Sequence, residues 1–125
     1  LKPSKNPNAD QKAFQKAIRF VGCPITGERY QLQLHHVVGR SAVYNKVHIG
    51  HWFVLPLHVT LHERQMNHPN NVTDHPEKFT KAYGTQVMLF LKCLDSIYEA
   101  AESGLIKLPP MPDTTIIGAI KLTSK

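Results

Sequence analysis

The chain has 125 residues, 42% of them apolar and 19% charged, which suits one domain of ordinary size and excludes global disorder. Its longest apolar runs, 52–57 and 87–91, fall far below the roughly 20 residues that cross a bilayer, so no membrane span is expected, and residues 1–9 show no secretory signal. A net charge of +6, with eight histidines that add charge below neutral pH, makes an anion the expected partner; nucleic acid is the usual one, and a plain solvated basic surface is the alternative.

Residues 1–9, rich in lysine, proline and asparagine, read as a polar arm. From 10 to 20, apolar Ala13, Phe14, Ala17 and Ile18 recur at helical steps behind Asp10, a candidate N-cap. Gly22, Cys23, Pro24, Thr26 and Gly27 are turn residues. They lead into 30–34, whose alternation predicts a strand with one buried face; continuing it puts His36 on the side of Leu34 and His35 on the other. Residues 39–50 read as a loop, 52–55 as a second strand, and a helical segment runs from Pro56 or Leu57 through Met66. The stretch 67–76 reads as a surface loop, with Asp74 as cap of a short helix over 76–83. Between 85 and 103, Val87, Met88, Leu91, Leu94, Ile97, Tyr98 and Ala101 make the apolar stripe of a core helix that Gly104 ends. Pro109, Pro110 and Pro112 then break the chain, and 114–122 is either a strand or a docked helix. This order defines an α+β domain over 10–108. Its two-stranded hairpin plus helix, at about 30–66, lies between an N-terminal helix and a C-terminal helical region, and a proline-rich tail follows over 109–125.

Cys23 and Cys93 are the only cysteines and stand at no metal-finger spacing, which excludes a disulfide framework and a four-thiolate zinc site; two reduced cytosolic thiols are expected. The histidines carry more. Seven of the eight lie between His35 and His68, and four fall in two groups, His35-His36 and His58-x-x-x-His62. Residues four apart on a helix share a face, with Cβ atoms about 5–6 Å apart, so His58 and His62 form a natural chelate for one ion. Such a pair also arises by chance as an ordinary structural feature. A zincin is excluded, because Val59 stands where that motif needs its glutamate. His48, His68 and His75 have no partner at a telling spacing and read as surface residues.

An adjacent histidine pair closing a strand, then a loop, an apolar strand ending in Leu55-Pro56-Leu57, and a helical histidine pair resembles the HNH or ββα-metal endonucleases, above all their colicin-type DNase branch. The segment Leu34-His35-His36-Val37-Val38-Gly39-Arg40, with His51 and Leu55-Pro56-Leu57, further resembles the phage Ref-type recombination nucleases. The likeness covers about 23–63. It implies a ββα-metal fold in which His35, His58 and His62 are metal ligands, His36 is the general base, His51 orients that base, and Arg40 clamps a phosphate oxygen, with Lys46 as a second candidate for that charge. It also implies hydrolysis of DNA phosphodiesters around one divalent ion, in a bacterial cytoplasm, with a recombinase as candidate partner. Three imidazoles favour bound zinc or nickel, with magnesium or manganese as alternatives for activity. Many members carry a structural zinc on two CxxC pairs. Here those positions hold Cys23 with Thr26 and His58 with Leu61, so that zinc is not expected, and Cys23 with His58 is the one pair left for a second ion. Arg40 as a plain surface charge and His51 as a plain loop residue stand beside these roles. The rival reading is a metal-stabilised nucleic-acid-binding module that does not cut; a third is a protein-binding domain with an inert motif. DNA against RNA, strand type and oligomeric state stay open.

Overall fold

In the computed structural model, which describes residues 6–125, helix α1 spans Ala9–Val21, and most of the expected polar arm lies outside the described residues. Its cap is Asn8 rather than Asp10. The Gln11 backbone N–H donates to Asn8 Oδ1 and the Asn8 N–H to Gln11 Oε1, both at 2.8 Å, a reciprocal box that satisfies two donors the helix itself cannot. Asp10 sits in the first turn instead, where its charge suits the positive end of the helix.

The two expected strands form, each starting two residues further towards the C-terminus and the second also ending three residues later. Strand β1 is Leu32–His36 and strand β4 is Val54–His58; they pair antiparallel, Leu32 opposite His58 and His36 opposite Val54. Gln31, at a φ of 56°, interrupts the extended backbone and delays β1, and Trp52 and Phe53 are drawn into a turn by donating to the Ile49 carbonyl. Burial does not alternate as expected. All five residues of β4 are buried against α1 and helix α4 (Gln86–Glu102), and β1 is half-buried along its length as the outer layer. Pro56 stands in the middle of β4, which a two-stranded sheet tolerates because each strand has a free edge where the missing N–H is not needed.

The excursion between the strands is more ordered than a loop. Val43–Tyr44 (β2) and Val47–His48 (β3) pair across Asn45 and Lys46, whose φ angles of 51° and 61° are those of a tight hairpin turn.

The helix expected from Pro56 or Leu57 to Met66 shrinks to one turn, α2, Val59–His62. The cause is a set of bonds from far along the chain. Asn71 Nδ2 donates to the carbonyls of Thr60 and Glu63 at 3.0 and 2.7 Å, the Val72 N–H to Leu61 at 2.8 Å, and Thr73 Oγ1 to His62. Four successive carbonyls are thus taken by residues 71–73, leaving none to continue the helix. Helix α3 spans Pro76–Tyr83, and His75 rather than Asp74 is its cap residue, because Asp74 Oδ2 accepts from the Gln65 N–H at 2.8 Å.

Helix α4 begins at its Thr85 cap, whose Oγ1 accepts from Met88. Phe90 on this helix meets Phe53 and Phe14 with ring centroids 5.4 and 6.2 Å apart, joining α4, the β4 approach and α1 in one aromatic contact. The segment left open in sequence is a helix, α5, Thr114–Lys121, capped by Asp113, and its Ala119 and Ile120 join the same core. The architecture is therefore mixed α+β, helices around small antiparallel hairpins. No described helix is long and apolar enough to cross a membrane.

Candidate functional site

Strand β1 sends its two histidines to different neighbours. The His35 ring lies 4.9 Å, centroid to centroid, from that of His62, and the His36 ring lies 5.4 Å from that of His51 at 84°. Adjacent strand residues point to opposite faces, so the pair His35–His62 and the pair His36–His51 are built from one dipeptide.

Two glutamines fix the first pair. Gln33 Nε2 donates to Glu63 Oε2 at 2.9 Å, which turns its Oε1 towards His62; His62 Nδ1–H donates to that oxygen at 2.7 Å. On the other ring, His35 Nε2–H donates to Oε1 of buried Gln86 at 2.8 Å. Each imidazole has thus spent its proton on an amide oxygen and keeps a lone pair on the remaining nitrogen, His35 Nδ1 and His62 Nε2. That is the arrangement a histidine needs to bind a metal, with a partner on the far nitrogen holding tautomer and ring orientation. Gln33 and Gln86 escaped the sequence reading. The only signal for either is a polar residue at a covered position, and that is visible only once the strand faces are known.

His58 does not join this pair. It is the last residue of β4 and the cap of α2, not a member of a helix shared with His62. Its Nδ1 accepts from the Thr60 N–H at 3.4 Å and lies 2.9 Å from Thr60 Oγ1, and its Nε2 lies 3.4 Å from Glu28 Oε2. The register also places it opposite Leu32, on the sheet face of His36 rather than of His35. Among the described residues no three His, Cys, Asp or Glu side chains gather into a metal cage.

The catalytic set read from sequence does come together. His36, Arg40 and His51 line one open groove of about 460 Å³ whose other wall is α1, latched there by Gln15 Nε2 donating to the His51 carbonyl at 2.8 Å. Gly50 holds the loop at this point: a Cβ on it would lie 2.3 Å from the Arg40 carbonyl oxygen and 2.4 Å from that of Gly39, so only glycine permits this approach. His36 Nε2 is buried and has no hydrogen-bond partner among the described residues. Lys46 sits exposed at the hairpin tip instead. Of the histidines read as surface residues, His75 is exposed, whereas His68 is half-buried and half-buried His48 lines a neighbouring groove that shares Arg40 and His51.

Burial dominates the electrostatics. It lowers the His35 imidazole to about 4, aided by His62 and His36 against the Gln86 bond; it lowers His36 to about 4, aided by His51 and the Arg40 guanidinium; and it lowers His62 as well. All three rings are neutral at pH 7.

Compared with family models, curated proteins and solved structures, the chain matches none.

Proposed function

We propose that the chain is a metal-dependent endonuclease of the HNH, ββα-metal type that hydrolyses phosphodiester bonds of DNA, in the setting of phage or prophage recombination. The observation that carries this reading is the division of labour across β1: two neutral, amide-oriented imidazoles on one side, and a histidine with an unpartnered nitrogen beside an arginine on the other.

The donor set fits a borderline transition ion such as zinc or nickel better than magnesium, which prefers oxygen. His35 and His62 would hold the ion, and when bound it would supply charge stabilisation at the phosphoryl and leaving oxygens. His36 is the acceptor of the attacking water's proton through Nε2, a role that requires this covered nitrogen to be uncovered when the DNA strand binds. Burial and its cationic neighbours make it a weak base, and the negative charge of a bound phosphodiester raises its basicity towards the range where proton abstraction is efficient. Arg40 grips a non-bridging phosphate oxygen, and His51, set edge-on to His36, limits how that ring can rotate.

The test is cleavage of plasmid and of single-stranded oligonucleotide with magnesium, manganese, nickel or zinc, comparing wild type with His36→Ala. The expected result is a rate loss of roughly 10²–10⁴-fold in the variant, with metal content and nucleic-acid affinity retained. Binding without cleavage by the wild type, on every substrate and with all four metals, selects the non-cutting module instead.

A further inference from the structure

The wall of the His36 groove contributed by α1 carries a second positive charge. Arg19 lies four residues after Gln15, on the same face of α1, and lines the groove with Arg40. One guanidinium thus stands on the helix and the other on the segment after β1. Among the described residues neither side chain makes an ion pair or a hydrogen bond, and no carboxylate lines this groove or its neighbour. Leu32 and Leu34 add an apolar lining beside the two cations. Cationic walls with apolar surface suit a polynucleotide strand, whose phosphates and sugar-base faces alternate, better than a free phosphate ion.

We propose that Arg19 is a positioning residue that binds a phosphodiester adjoining the scissile one, so that the strand is held along α1 at a second phosphate. This rests on the nuclease reading and extends it to the substrate: a strand running past the site, not a single phosphate ester.

The experiment measures fluorescence anisotropy of a labelled single-stranded oligonucleotide, as a function of salt, for wild type, Arg19→Ala, Arg19→Lys and Lys16→Ala. Lys16 is the control, since it lies on the same helix but lines a separate groove with Phe20 and Ile106. Arg19→Ala is expected to weaken binding about threefold to tenfold and to reduce the salt slope by about 0.7, the value for one phosphate contact on a single strand. Arg19→Lys should keep the slope, and Lys16→Ala should stay within about twofold of wild type. In cleavage, Arg19→Ala should raise KM for the oligonucleotide and leave hydrolysis of bis(p-nitrophenyl) phosphate, which has one phosphate, unchanged.

Equal losses from Arg19→Ala and Lys16→Ala, or no change in affinity and slope for Arg19→Ala, overturn the proposal. So does an equal loss on the one-phosphate substrate, which would place Arg19 at the scissile group. A wild type that binds as described but cuts nothing overturns the nuclease reading and leaves the Arg19 contact standing.

Discussion

Asn71 is fully buried and makes four hydrogen bonds: its Nδ2 donates to the carbonyls of Thr60 and Glu63, and its Oδ1 accepts from the N–H groups of Thr73 and Asp74. Truncation removes the partner of four part-buried backbone groups, each worth at most about 1–3 kcal/mol where water cannot replace it. Asn71→Ala is therefore expected to destabilise the chain by about 2–4 kcal/mol, read from urea unfolding, and to loosen His62 with it. Gln86 acts on the site alone. Gln86→Leu should weaken zinc binding about 10–100-fold by titration calorimetry, because the His35 ring loses the acceptor that sets its tautomer, while the fold persists. Neither residue was legible in sequence, since asparagine in a loop and glutamine at a helix start are ordinary. The histidines were legible because they are rare and clustered.

Among the elements, α1, α3 and α4 were legible almost to their ends, as their apolar periodicity is local, although the caps of α1 and α3 are Asn8 and His75 rather than Asp10 and Asp74. Helix α2 was not. Whether Val59 onward continues as a helix is decided by residues 71–73, eight to eleven positions further on, whose bonds to the carbonyls of this segment leave no mark in its apolar periodicity. The strands were found but misplaced by two or three residues, since their ends depend on pairing between residues 18 to 26 positions apart, His36 with Val54 and Leu32 with His58. The consequence for the site is that the spacing of His58 and His62 is not a helical one. His62→Ala is expected to abolish tight zinc binding, whereas His58→Ala should retain it within a few-fold and lower the melting temperature instead, through loss of the α2 cap and the Glu28 contact. Equal loss of zinc in both variants would place His58 at the ion.

At the scale of the whole molecule, lowered histidines make stability depend on pH. His35 and His36 protonate at about 4 when folded and near their usual 6.5 when unfolded, so between these values the unfolded chain binds more protons. The stabilisation is fully present above about 6.5 and is lost as pH falls towards about 4. Thermal melts of chelator-treated protein should show the melting temperature declining across that window, with a shallower decline in His36→Ala. The helical nature of 114–121 also belongs to this scale: its apolar residues suit a strand or a helix equally, and the Asp113 cap together with burial of Ala119 and Ile120 decides the outcome.

The β2–β3 excursion separates two parts that mutation can treat independently. Its base is locked, with Gly50 against the Gly39 and Arg40 carbonyls and Ala42 accepting from both Ile49 and Gly50, and the base is where Arg40 and His51 sit. Its far end, Asn45 and Lys46, is exposed and bears neither of those residues. An added peptide or a small folded domain spliced between Asn45 and Lys46 should therefore leave cleavage within a few-fold of the parent chain, while a single residue inserted between Gly39 and Ala42 should end it. The hairpin tip is thus a socket through which another specificity could be fused beside the groove.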